Sequence, residues 1–312
     1  MIRLLLLGTP DISVPVFETL LNDNRFEVCG FVCQPDKPLG RDRVVTPPPT
    51  KILAEKYSVP VFQPESAKDP HFIQEVKNLE PDLAFVFAYG HILRQEFLDI
   101  PKYGCVNLHG SLLPQLRGAS PIQASLLHQF SESGITYIKM DVGMDTGPII
   151  ATFGGVSLHD ENSLSLQKKF SQLGSETVGD VLSSLVHTTK ELVSQNHERA
   201  TYCRQLSKED GHVNPAWLPV NLCISSFRAF IEWPGVYSFW NDERIQWIDI
   251  EATDIPSTRP GNFSFDEKNL YIDCQDYKIR VLRLRKAGKN IQTSREFLQS
   301  FHQQLRDRTL LS

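Results

Sequence analysis

The sequence predicts an α/β domain on an open, mostly parallel, Rossmann-like sheet, followed by a small OB-like β-barrel. Short β-rich runs alternate with helical patterns through residues 1–188, which is the mark of successive βαβ units. Strand-like runs with few helices then occupy residues 207–312, the spacing expected of a small barrel. A chain of 312 residues, 41% of them hydrophobic, has the length and apolar content for two cores.

In the first domain the pattern predicts strands at residues 2–7, 27–33, 83–87, 106–108, 135–140 and 149–153, with a shorter extended segment at 59–62. Helices are expected at 14–22, capped by Ser13, at 122–128, opened by Ser120-Pro121, and at 164–186 after Asn162-Ser163. Residues 35–50 carry five prolines together with Lys37, Gly40, Arg41 and Arg43, and read as a long exposed loop that is neither helix nor strand. A loop of that length, basic on an acidic domain, is expected to bind something. Residues 189–206 are polar, hold no sustained period and read as a linker. Beyond them come an amphipathic segment at 222–231, strands at 236–240, 244–251, 270–273 and 278–284, and a closing helix at 294–305.

Composition narrows the function classes. The apolar run Ile2–Leu7 is far shorter than the roughly 20 residues of a membrane span, and no signal peptide or anchor is expected. Six scattered cysteines without a C-x-x-C pair argue against a zinc or redox site and for reduced thiols, a cytoplasmic pattern. The net charge of −5 lies on residues 1–206, because 207–312 hold 14 basic and 14 acidic residues. The basic run Lys278–Lys289 reads first as a solvated strand face. Neither G-x-G-x-x-G nor G-x-x-x-x-G-K-[ST] is present, so a dinucleotide enzyme or a nucleotide hydrolase has no support. The absence of a G-x-S-x-G elbow demotes Ser111 as a hydrolase nucleophile.

Chemistry is concentrated in two places. In Cys105–Gly110 the strand period of two puts Asn107 and His109 on one face and Val106 and Leu108 on the other. Ligands of doubly wound sheets bind beyond the carboxyl ends of strands, and Gly110 ends this one. Burying an amide and an imidazole unpaired would cost about 1–3 kcal/mol each, so the pair points to a site. The glycine-rich turn Asp141–Gly147 offers two aspartates but lacks the further ligands of a calcium loop. A turn that aims Asp145 at the His109 strand end is the better reading, since a carboxylate beside an imidazole favours the charged ring and orients it.

At these motifs the chain resembles the folate-dependent formyltransferase family. The resembling stretches are Gly8–Asp11, Gln34–Pro38 with Gly40-Arg41, Ala88–Gly90, Asn107–His109 with Ser111–Pro114, Arg117-Gly118 with Pro121–Gln123, and Asp145–Gly147. In the second domain, Lys208–Gly211, Trp233–Tyr237 and Ala287–Lys289 followed by Glu296–Leu298 resemble the branch of the family that acts on charged tRNA. The resemblance implies transfer of a formyl group from 10-formyltetrahydrofolate, without a metal, to the α-amine of methionine on initiator tRNA. A nucleotide-linked amino sugar is the alternative acceptor, and a catalytically silent folate- or RNA-binding protein is a third reading. By the same resemblance Asn107, His109 and Asp145 are catalytic. Ser111, Leu112, Leu113, Pro114, Asp141 and Thr146 wall a folate pocket, and Phe87, Ala88, Tyr89 and Gly90 contact the pterin. Lys37, Arg41 and Arg43 reach the tRNA, the Lys278–Lys289 run adds phosphate contacts, and the chain acts as a monomer in the cytoplasm. Ile12 and Gly110 depart from the phenylalanine and alanine common in the family.

Overall fold

A long apolar strand such as Ile2–Leu7 can satisfy its backbone and bury both faces only in the middle of a sheet, and it lies there. The computed structural model describes residues 1–40, 43–187 and 192–306. Strands β1 (Ile2–Leu7), β2 (Phe26–Val32), β3 (Val61–Phe62), β4 (Leu83–Val86), β5 (Cys105–His109), β6 (Glu132–Lys139) and β7 (Ile149–Ser157) form one sheet in the order β7-β6-β5-β4-β1-β2-β3. The β1–β2, β1–β4, β2–β3 and β4–β5 pairs are parallel, while β5–β6 and β6–β7 are antiparallel. This is the open, mostly parallel α/β sheet expected. The chain order reverses between β1 and β4, where doubly wound sheets open their ligand crevice. Gly8, just past β1, is required there because a Cβ would lie 2.6 Å from the Phe87 carbonyl oxygen and 2.7 Å from the Phe17 ring.

Helix α1 (Val14–Leu21) buries Val16, Phe17 and Leu20. Ser13 does not cap it. Its backbone is already helical at the end of a short 3-10 turn, and its fully buried hydroxyl donates to the Phe87 carbonyl at 2.6 Å. The proline-rich loop is also more ordered than expected. Lys37–Leu39 and Val44–Thr46 pair as a hairpin, and α2 (Pro49–Lys56) starts within the stretch. Its prolines occupy positions that need no N–H: Pro38 in a two-stranded ribbon and Pro49 in the first helical turn. Helices α3 (Pro70–Asn78) and α4 (Gln95–Leu98) follow, α3 being capped by Asp69, which accepts from the His71 N–H at 2.9 Å. Next come α5 (Pro121–Leu127) and α6 (Ser163–His187), the latter burying Leu166, Phe170, Val178 and Leu182 completely.

In the second half, α7 (Val220–Ala229) precedes β8 (Tyr237–Trp240), β9 (Glu243–Pro256), β10 (Phe263–Phe265), β11 (Leu270–Asp273), β12 (Tyr277–Lys286) and β13 (Gln292–Thr293). These pair antiparallel in the order β8-β9-β12-β11-β10, with β13 added to β12. Register shifts along β9 let the sheet curl in the manner of a small OB-like barrel. Its core packs Trp240 against Phe263 and against Phe297 of α8 (Ser294–Arg306), with ring centroids 5.7 and 5.6 Å apart.

The chain gathers into two compact units. One comprises residues 1–121, 132–157 and 167–203, and the other 122–131, 158–166 and 204 onward. The stretch read as a linker contributes its described part up to Cys203 to the first unit, where Tyr202–Cys203 pairs with Arg117–Gly118. Among the described residues, no helix is long and apolar enough to cross a membrane.

Candidate active site

Strand β5 lies between β4 and β6, and its alternation separates two roles. Leu108 packs under α6, where a Cβ on Gly174 would lie 3.0 Å from its methyl group, while Asn107 is half-buried and His109 is 5% exposed. After Gly110 the chain folds back on itself. Ser111 donates to the Gln115 carbonyl at 2.6 Å, and Thr136 ties the loop by donating to the Ser111 carbonyl at 2.7 Å and accepting from the Leu113 N–H at 3.1 Å. Leu116, with φ +56°, then brings its carbonyl oxygen to 2.9 Å from His109 Nε2.

Asp145 arrives from the β6–β7 turn. Its Oδ2 lies 3.6 Å from His109 Nδ1 and accepts from the Gly118 N–H at 2.8 Å, and its Oδ1 is 3.4 Å from Asn107 Nδ2. One carboxylate thus gathers Asn107, His109 and the backbone of Gly118. A carbonyl can only accept, so His109 Nε2 carries a proton, while Nδ1 faces the carboxylate. Nε2 is thus hydrogen-bonded to the Leu116 carbonyl, and Nδ1 lies 3.6 Å from the carboxylate. The Asp145 side chain is 17% exposed against 6% for His109, so the cluster opens to solvent on the Asn107–Asp145 side.

Asp141 is exposed and bonds within its own turn, accepting from the Gly143 N–H at 3.0 Å and the Thr146 hydroxyl at 2.6 Å. Residues 87–90 follow β4 and residues 111–114 follow β5, and the parallel pairing of those strands sets both segments at the same carboxyl edge. Phe87 and Tyr89 are buried, whereas Ala88 and Gly90 are exposed and adopt φ of +54° and +86°. The Tyr89 carbonyl accepts from the Thr9 hydroxyl at 3.1 Å, tying this strand end to that of β1. Ser111 and Leu113 are buried, Pro114 is half-buried, and the half-buried Leu112 lies over the backbone of Gly134 and Gly154. Among the described residues no three His, Cys, Asp or Glu side chains gather at metal-ligand spacing.

Lys37 and Arg43 are exposed on the 37–46 hairpin, and Arg41 lies outside the described residues. The base of this hairpin is fastened by Asp36, which accepts from Lys51 Nζ at 2.9 Å and Gln63 Nε2 at 2.7 Å. The other basic run is used differently. Along β12, Arg280 pairs with Glu251 at 3.1 Å, Arg283 with Asp249 at 3.2 Å and Lys286 with Glu243, all across the strand to β9. The solvated strand face is the reading this supports.

Sequence reasoning assigned no role to four contributors to the cluster. These are the Leu116 carbonyl, the Gly118 N–H, Arg117 and Gln195. Arg117-Gly118 carried a visible signal in the family-like stretch, whereas Gln195 sits in a polar segment that offers none.

Known proteins resemble this chain over nearly its whole length. The formyl transferase family matches residues 2–182, and the formyl transferase C-terminal domain matches residues 205–302. Methionyl-tRNA formyltransferase of Geobacter sulfurreducens is 35% identical over 301 residues, covering 96% of this chain and 94% of that protein. The Legionella pneumophila protein of the same name is also 35% identical over 301 residues, covering 96% and 95%. Among solved structures, an N-formyltransferase from Helicobacter canadensis, in complex with folinic acid and dTDP-3-aminofucose, superposes with a TM-score of 0.67 at 19% identity over 90% of this chain and 99% of that one. HypX from Aquifex aeolicus, in complex with tetrahydrofolic acid, does so with a TM-score of 0.64 at 14% identity over 96% and 47%. With both domain regions matched and relatives similar over nearly its whole length, this chain belongs to the formyl transferase family.

Proposed function

We propose that this enzyme transfers the formyl group of 10-formyltetrahydrofolate to the α-amine of methionine on charged initiator tRNA, giving formylmethionyl-tRNA for translation initiation. One observation carries the reading: Asn107, His109 and Asp145 converge at a carboxyl-edge strand end, in a chain whose relatives over nearly its full length are methionyl-tRNA formyltransferases. Residues 1–188 carry the catalysis, the described residues from 192 to 203 pack with them, and 207–312 bind tRNA.

The reduced folate supplies the formyl group and departs as an amine. Attack by the methionine amine on the formyl carbon creates an oxyanion, which needs donors already in place. Asn107 supplies an amide N–H, because its 3.4 Å contact with Asp145 is long and engages only one of two amide hydrogens. His109, anchored through Nε2 on the Leu116 carbonyl with Nδ1 turned toward Asp145, stands beside that oxyanion as its second stabiliser. Asp145 orients that ring and passes the proton of the attacking amine to the departing folate nitrogen, through water. Ser111, Leu112, Leu113, Pro114, Asp141 and Thr146 wall the folate, and the exposed main chain at Ala88 and Gly90 suits a flat hydrogen-bonding pterin, with Phe87 and Tyr89 buried behind it. Lys37, Arg41 and Arg43 meet the tRNA acceptor stem. The enzyme works as a monomer in the cytoplasm.

The test is to incubate the protein with 10-formyltetrahydrofolate and methionine-charged initiator tRNA, with Asn107→Ala as control, and to measure formylmethionyl-tRNA. Formylation by the wild type alone is expected. A protein that binds folate yet leaves the tRNA untouched would overturn the acceptor and point to an amino sugar.

A further inference from the structure

Arg117 carries a charge in an unusual setting. Its side chain belongs to a residue only 1% exposed, and no carboxylate lies within ion-pair distance of it among the described residues. Instead, Nε and one terminal nitrogen both donate to Gln195 Oε1, at 3.1 and 2.7 Å. The same terminal nitrogen lies 3.2 Å from His197 Nδ1, and the other donates to the Tyr202 hydroxyl at 3.2 Å. Gln195, itself 6% exposed, spends both amide hydrogens on the far side, donating to the carbonyls of Asp145 at 2.8 Å and Gly147 at 2.7 Å.

The amide can sit only one way. A guanidinium only donates and a backbone carbonyl only accepts, so a flipped Gln195 would set donors against donors and oxygens against oxygens. The contacts close a ring. Asp145 Oδ2 takes the Gly118 N–H, Arg117 precedes Gly118 in the chain, its guanidinium grips Gln195, and Gln195 returns to the Asp145 carbonyl. Asp145 also has φ +53°, a left-handed backbone that surrounding contacts must hold in place.

We infer that Gln195, locked by Arg117, is a positioning residue that holds Asp145 at its working distance from His109, so that the segment after α6 tunes the formyl-transfer step without touching either substrate. This rests on the catalytic reading of Asp145 proposed above.

Two substitutions separate positioning from mere satisfaction of a buried charge. Gln195→Leu removes both functions, whereas Gln195→Glu keeps an acceptor for Arg117 but loses both donors to the Asp145 and Gly147 carbonyls. Steady-state formylation of methionine-charged initiator tRNA is measured for wild type, both variants and Asp145→Asn, alongside thermal melting. The expected result is a fall in kcat of about 10- to 100-fold for both Gln195 variants, with KM for folate and tRNA within about twofold of wild type, although Gln195→Glu melts closer to wild type than Gln195→Leu does. Recovery of wild-type kcat in Gln195→Glu would overturn the inference, leaving Gln195 as a partner for Arg117 alone. If Gln195→Leu does not fold, that Gln195→Glu comparison decides. If Gln195→Glu does not fold either, kcat is read on Arg117→Lys, and an unchanged value there rejects the inference. Full activity in Asp145→Asn would remove the catalytic reading and this inference together, while an inactive Asp145→Asn beside fully active Gln195 variants would remove this inference only.

Discussion

Asn107 and His109 stand two residues apart on one strand, yet burial divides their roles. Asn107 is half-buried and meets Asp145 only through a long 3.4 Å contact, while His109 is enclosed and fixed through Nε2 on the Leu116 carbonyl. Removal of a preorganised donor aimed at a developing oxyanion costs about 10²- to 10³-fold in kcat. Asn107→Ala is therefore expected to lose that much with a KM for folate close to wild type, in single-turnover formylation assays that separate the chemical step from binding. Asn107 and His109 were legible as a pair because strand period alone puts them on one face. The Leu116 carbonyl that meets His109 and the Gly118 N–H that meets Asp145 were not legible, since they are backbone groups of a kind that nearly every residue carries.

Elements set where such groups meet. Gly118 has φ +114°, and a Cβ there would lie 2.1 Å from the Cys203 carbonyl oxygen, because the short Tyr202–Cys203 strand runs directly against it. Gly118→Ala should therefore destabilise the protein by about 2–4 kcal/mol through backbone strain and overpacking, and it should also slacken the N–H that holds Asp145. A lowered melting temperature together with a lowered kcat is the expected pair of observations. Under the proposed function the 37–46 hairpin is a second element with a separable task. Replacing Lys37 and Arg43 together with alanine should weaken tRNA binding and reduce the slope of log affinity against log salt by about one per cation lost. The KM for folate should stay unchanged, and salt-titrated filter binding checks the slope. The hairpin escaped the sequence reading because its one proline, Pro38, occupies a position that needs no hydrogen-bond donor, a matter of pairing rather than composition.

Across the whole molecule, carboxylates in both units are held below their ordinary range by the donors around them. A hydrogen bond from Arg25 lowers Asp23, one from Arg204 lowers Asp210, and backbone N–H bonds from Lys268 and Thr293 lower Asp266 and Glu296. A depressed folded-state value contributes stability that is fully present above the ordinary carboxylate range and is lost as pH falls from that range through the lower folded-state value. Melting temperature should therefore hold near neutral pH and drop steeply below about pH 4, and a melting temperature unchanged down to about pH 3 would contradict this account. What the sequence determined by itself was whatever burial writes into a local period: the strands Ile2–Leu7 and Leu270–Asp273 residue for residue, the mostly parallel order of the first sheet, and the shared face of Asn107 and His109. The approach of Asp145 to the His109 strand end was also read from the sequence, whereas tertiary structure alone decided that Leu116 and Gly118 supply the backbone partners and that Gln195, 78 residues beyond Arg117, closes the ring behind them. The reason is physical: periodicity reports which side of an element is buried, whereas the partner of a buried hydrogen-bonding group is set by the packing of segments far apart in the chain.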